Sequence, residues 1–163
     1  METLRLDING IHEYQQNRYP YLLIDVAEEV IPGKSAKGYK NLTINDWFFK
    51  SHFPGNPMMP GMLQIEAFVQ LCALTVLTLP GNKGKVVYLV SANGIKLSRK
   101  IVPGDRFDID SRLLSWKRGI GTCTAVGKVN EEIASQANFT IVMPDILNEY
   151  QVMPGKEIKA SKI

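Results

Sequence analysis

The segment Ser51-His52-Phe53-Pro54-Gly55-Asn56-Pro57-Met58-Met59-Pro60-Gly61-Met62-Leu63-Gln64-Ile65-Glu66 sets a histidine in a proline-stiffened loop and then opens the longest apolar run of the chain. Pro60 suits the first position of a helix, where its missing N–H costs nothing. From Met62 to Leu79 the polar residues are Gln64, Glu66, Gln70, Thr75 and Thr78, and Leu79-Pro80-Gly81 punctuates the end. The pattern predicts a helix of about 20 residues, roughly 30 Å long. It is apolar on nearly every side, so other elements must wrap it.

The wrapping is readable downstream. Lys85–Ala92, Arg106–Ser115, Gly119–Val129 and Glu132–Val142 have strand composition, with tight connections at Lys117-Arg118-Gly119 and Asn130-Glu131. Upstream, Asp7–Gln16 reads as a short amphipathic helix with Asp7 as its N-cap, broken by Arg18-Tyr19-Pro20. Tyr21–Val30 and Lys37–Ile44 are strand-like, separated by the Pro32-Gly33 turn. One long helix followed by consecutive strands predicts an α+β architecture: a curved antiparallel sheet wrapped around a central helix. A single domain is expected over residues 1–144. Residues 145–163, weakly periodic and lysine-rich at the end, are expected to form a peripheral or disordered extension.

Bulk properties narrow the function classes. A chain of 163 residues buries a core without staples. Cys72 and Cys123 form no CxxC pair and read as buried hydrophobes, which fits a reducing cytoplasm. The N-terminus lacks a secretory pattern, and the apolar run is too polar for a membrane span. A net charge of +3 is too small to argue for nucleic acid. His12 and His52 lie far apart with no acidic cluster, so no metal site is expected. Neither a GxSxG elbow nor a glycine-rich phosphate loop is present, and no cofactor is expected.

What remains is acid–base chemistry. His52 is a candidate general base, since neutral histidine takes protons near pH 7 without much help. Glu66, on an apolar helix beyond the first turn, is a candidate general acid, because desolvation favours its protonated form. Gly61 is a candidate oxyanion donor at the helix start, where N–H groups are unpaired. It lies about 7.5 Å along the axis from Glu66, whose side chain leans back toward it. Such a set suits removal of water from a 3-hydroxyacyl thioester. Gln70, one turn beyond Glu66, either orients that carboxyl or satisfies a buried backbone group. Structural alternatives stay open: a histidine holding one backbone hydrogen bond, a glutamate paired to lysine, and a glycine chosen for packing. Met58, Met59 and Met62 read as core filler or as flexible walls for an acyl chain.

The pattern His52-Phe53-Pro54-Gly55-x-Pro57-x-Met59-Pro60-Gly61-x-Leu63-x-x-Glu66-Ala67-x-x-Gln70 resembles the signature of the FabZ-type 3-hydroxyacyl-[acyl-carrier-protein] dehydratases, which have the hotdog fold. Arg18-Tyr19-Pro20-Tyr21-Leu22-Leu23-Ile24-Asp25, Lys40-Asn41-Leu42-Thr43-Ile44-Asn45 and Val102-Pro103-Gly104-Asp105 extend the resemblance over about residues 8 to 143. It implies a cofactor-independent dehydration of 3-hydroxyacyl thioesters to trans-2-enoyl thioesters in fatty-acid or related acyl biosynthesis. The substrate would ride on acyl carrier protein or on coenzyme A. It also implies a homodimer, possibly assembled as a hexamer, in which the histidine of one subunit faces the glutamate of the other. Tyr88 would line or gate the acyl tunnel. Arg99, Lys100, Lys117 and Arg118 would steer an acidic carrier, or are ordinary solvated charges. A hotdog thioesterase and a non-catalytic carrier-binding subunit are the alternative readings. Asn17 in place of the usual histidine, Ser51 in place of glycine and Trp47 in place of proline suggest a specialised relative.

Overall fold

The computed structural model describes residues 3–151. At its centre is helix α2, Gly61–Leu77, with fourteen of its 17 residues buried. An amphipathic helix would leave half of itself to solvent, so a helix this enclosed depends on the elements around it. Its start lies one residue later than the proline pattern predicts: Pro60 is the N-cap, and its carbonyl accepts from the N–H groups of Leu63 and Gln64. Its end lies earlier. Thr78 caps it, the hydroxyl donating to the Leu74 carbonyl at 2.7 Å. Pro80 disfavours helical backbone at Leu79, so the helix stops short of the proline.

The wrapping is one antiparallel sheet of seven strands. In chain order these are β1 (Leu4–Leu6), β2 (Val26–Ile31), β3 (Ser35–Asn41), β4 (Tyr88–Leu97), β5 (Arg106–Lys117), β6 (Ile120–Val129) and β7 (Glu132–Val142). Their spatial order is β1-β2-β3-β5-β6-β7-β4. Helix α2 packs on the concave face, where Phe68 stacks on Phe107 with ring centres 5.8 Å apart. Two expected hairpins form. Asn130 and Glu131 (φ +50° and +65°) join β6 to β7, and Arg118 and Gly119 (φ +52° and +81°) join β5 to β6. Positive φ at both central residues matches the right-handed twist of the strands they link.

Differences from expectation have local causes. The strand over Tyr21–Val30 begins only at Val26, because the backbone of Tyr21 and Leu23 is engaged by a side chain of α2. β4 begins later than Lys85, whose N–H closes a turn on the Asn82 carbonyl. It then continues beyond Ala92 to Leu97, with an irregular register between Asn93 and Lys96 where it pairs with β7. β1 is an added edge strand, too short to show periodicity. The short helix α1, Ile8–Tyr14, is capped as expected: the Asp7 carboxylate accepts from the Gly10 N–H at 2.9 Å. Residues 144–151 form helix α3, whose Ile146 packs on the core, and the remainder of the expected extension lies outside the described residues. Cys72 and Cys123 are free and buried. Among the described residues no helix is long and apolar enough to cross a membrane.

Gly38 shows how tightly the sheet closes on α2. A Cβ there would lie 2.4 Å from the Val26 carbonyl oxygen and 2.9 Å from a Leu71 methyl. The backbone contact cannot be relieved by turning a side chain. Gly38→Ala is expected to destabilise the protein by about 1–3 kcal/mol, read as a lowered urea midpoint.

Candidate active site

Glu66 projects from α2 into a cavity of about 370 Å³ bordered by Val69, Gln70, Ala73, Leu77 and Tyr88. Burial among apolar side chains pushes its carboxyl above the usual glutamate range, and a hydrogen bond from Gln70 offsets part of that rise. The Gln70 amide donates to Glu66 Oε1 at 2.8 Å and to the Tyr21 carbonyl at 2.7 Å, while its own oxygen accepts from the Leu23 N–H at 2.8 Å. Gln70 therefore does both of the things its position allows: it orients the carboxyl and satisfies buried backbone. Gln15, 3% exposed, adds a fourth tie by donating to the Gln70 carbonyl. The Tyr21 phenol is also raised, first by burial and then by the negative charge that Glu66 can carry.

His52 is held in a closed loop. Its N–H donates to the Phe48 carbonyl at 2.9 Å, and its carbonyl accepts from the Met58 N–H at 2.8 Å. The ring Nδ1 lies 2.9 Å from the Met58 carbonyl oxygen. A carbonyl can only accept, so Nδ1 carries the proton and, in the neutral ring, Nε2 keeps its lone pair for a base's work. Phe53 packs on the imidazole with ring centres 4.0 Å apart. Farther along, the Met59 N–H donates to the Ile101 carbonyl at 2.8 Å, which ties the loop to the segment ahead of β5.

Gly61 is the first residue of α2, so its N–H has no acceptor within the helix. A Cβ at this position would lie 2.4 Å from a Leu97 methyl of β4. Glycine therefore serves a packing need here as well as leaving its N–H accessible. Glu66, Gln70 and Tyr88 share one cavity, but His52 and Gly61 do not border it within a single chain. His52 lies on the loop ahead of α2, which the Gln64 amide ties to the helix by donating to the Met59 carbonyl at 3.2 Å, and Glu66 lies on the helix itself.

A family model described as the FabA-like domain matches residues 16–138. Curated relatives include the 3-hydroxyacyl-[acyl-carrier-protein] dehydratase FabZ of Clostridium novyi (strain NT), 44% identical over 136 residues, covering 83% of this chain and 96% of that protein. The FabZ of Acetivibrio thermocellus is 43% identical over 129 residues, covering 79% and 88%. The chain belongs to the FabA-like family. Its fold matches a solved structure titled as the dehydratase heterocomplex ApeI:P from Xenorhabdus doucetiae, with a TM-score of 0.73 at 13% identity, covering 88% of this chain and 97% of that one. A likeness at that identity concerns fold alone, and the fold of this FabA-like chain is the hotdog.

Tyr21, Leu23 and Gln15 were not legible as parts of the site, because their contacts to Gln70 span 47 to 55 residues. The cation cluster expected to meet a carrier is uneven. Arg99 is already engaged by Asp105 at 3.4 Å and Glu132 at 3.2 Å, while Arg118 lies over the Tyr150 ring. Trp47 anchors the histidine loop's approach by donating to the Pro20 carbonyl at 3.0 Å.

A raised Glu66 means that the folded state binds more protons than the unfolded chain between the ordinary glutamate range and the raised value. Stability therefore falls as pH climbs through that window and stays lower above it. Glu66→Gln removes this loss, so the variant should be the more stable protein at alkaline pH. That advantage should vanish below the ordinary glutamate range, as read by urea denaturation across pH. Gln70→Ala strands the buried Leu23 N–H and is expected to lower stability by about 2 kcal/mol in the same assay.

Proposed function

We infer that this chain is a 3-hydroxyacyl-[acyl-carrier-protein] dehydratase of fatty-acid biosynthesis, a hydro-lyase that forms trans-2-enoyl thioesters and water. The observation that carries the reading is Glu66: a carboxyl kept toward its protonated form by burial, held by Gln70, in a cavity walled in part by Val69, Ala73 and Leu77. A protonated carboxyl in such a place is a proton donor, and expulsion of hydroxide as water needs one.

The proposed steps use this chain's own groups. His52 Nε2 takes the proton beside the thioester carbonyl, and the electron pair moves onto the carbonyl oxygen, which the Gly61 N–H stabilises. The pair then returns to form the carbon–carbon double bond. The C3–O bond breaks, and Glu66 protonates the departing oxygen. The imidazolium and the carboxylate reset by passing one proton back through water. Net, one water leaves and no redox change occurs. Because His52 does not border the Glu66 cavity within one chain, we propose that His52 of one subunit works with Glu66 of the partner subunit.

Strand β4 supports that arrangement. Among the described residues it pairs only with β7, lies at the sheet edge, and exposes Tyr88, Val90 and Leu97. Joining two such edges covers an otherwise adhesive strand and brings two protomers' sites together. Gly61, packed against Leu97, would then lie beside the joint. The free buried thiols fit the reducing cytoplasm proposed as its compartment.

The test is turnover of a 3-hydroxyacyl thioester on acyl carrier protein, followed as enoyl formation, with free thiol measured in parallel. His52→Ala and Glu66→Gln are each expected to lower kcat by about 10²–10⁴-fold with the fold retained by circular dichroism. Wild-type turnover by Glu66→Gln, or thiol release matching substrate loss, would overturn the assignment.

A further inference from the structure

We propose that Lys40 is a positioning residue for the reaction, a buried cation that sets the approach to the His52 loop through Asp46. The proposal rests on the dehydratase reading above and concerns how the base of that reaction is held. Strand alternation on β3 sends Ala36, Gly38 and Lys40 to the buried side, so a lysine stands where the strand otherwise offers small residues to the core. Lys40 is 8% exposed, and a charge so enclosed persists only where it is paired.

The pairing uses the whole ammonium group, which has three N–H bonds to give. It donates to the Asn41 carbonyl at 3.3 Å and lies 3.5 Å from Asp25 Oδ1 and 3.4 Å from Asp46 Oδ1. Each carboxylate gives its second oxygen to the backbone. Asp25 Oδ2 accepts from the Asn41 N–H at 2.7 Å, and Asp46 Oδ2 accepts from the Thr43 N–H at 2.8 Å. Lys40 thus joins, at one point, the segment that ends in Asp25 and the segment that leads to the histidine loop.

From Asp46 the route to the base is short. Asp46 opens a single 3-10 turn, Trp47–Lys50, and its carbonyl accepts from the Phe49 N–H at 3.2 Å. The Phe48 carbonyl of that turn accepts from the His52 N–H at 2.9 Å. From Asp25 the chain runs back to Leu23 and Tyr21, which Gln70 holds beside Glu66. Without the cation, two carboxylates would repel one another across the space the ammonium group fills. A displacement of about 1 Å at the reacting groups can cost about 10²-fold in rate. A purely structural role would lower stability and leave the chemistry of the folded enzyme unchanged.

The test measures dehydration of a 3-hydroxyacyl thioester on acyl carrier protein together with nitrogen NMR spectra of the two histidine rings, His12 serving as the internal reference. Lys40→Met is expected to lower kcat by about 10–100-fold with little change in KM. In the neutral wild-type ring the His52 signals should report a proton on Nδ1. In Lys40→Met they are expected to move toward the tautomer mixture of a free imidazole while the His12 signals stay in place. Asp46→Asn keeps an oxygen for Thr43 and loses the ion pair, so it should show the same two changes, and it decides the matter should Lys40→Met not fold. Adding Asp46→Asn to Lys40→Met should cost nothing more, because both cut one route. Wild-type kcat in the folded variants overturns the proposal. So does a lowered kcat with unmoved His52 signals, or losses that multiply in the double variant. If the wild type itself fails to dehydrate the thioester, the dehydratase reading falls, and the His52 spectra still decide this one.

Discussion

A carboxyl fixed on a helix that is enclosed on almost every side is the constraint on which the rest of this molecule turns. Fourteen buried residues on α2 leave Glu66 little water, and burial pushes its proton affinity up. Left without partners, such a group would be a liability; Gln70 makes it usable. One amide side chain gathers Glu66, the Tyr21 carbonyl and the Leu23 N–H, so the same bonds that orient the acid also dock residues 21–25 on the helix. Strand β2 begins only after that docking segment ends.

The histidine loop obeys a different logic. It is closed on itself by backbone bonds at Phe48 and Met58 and is tied outward through Ile101. Its imidazole spends Nδ1 on the Met58 carbonyl, which leaves the lone pair of the neutral ring on Nε2. The loop is tied to α2 through the Gln64 amide, which donates to the Met59 carbonyl at 3.2 Å, and for the site proposed to be shared between subunits the exposed apolar edge of β4 offers a surface.

Legibility in the sequence followed the range of the forces involved. Helix α2, the Asp7 cap and the hairpins at Arg118-Gly119 and Asn130-Glu131 were readable because their signals are local: periodicity, a capping oxygen, a turn. Glu66 was readable for the same reason, since a lone carboxyl in an apolar helix announces its own desolvation. Pro60 misled by one residue, because a proline suits the cap as well as the first turn. Gln15, Tyr21 and Leu23 gave no sign of joining the site, since their bonds to Gln70 cross 47 or more residues. The bond from the Gln16 amide to the Gly84 carbonyl was equally hidden, since it spans 68 residues.

Subunit exchange between two inactive variants tests the shared site most directly. Mixing His52→Ala with Glu66→Gln, after reversible dissociation, should create dimers in which one site holds both native groups. Random pairing predicts recovery of about a quarter of wild-type dehydration. A mixture that has demonstrably exchanged subunits yet stays as inactive as its parents would contradict a site assembled from two chains.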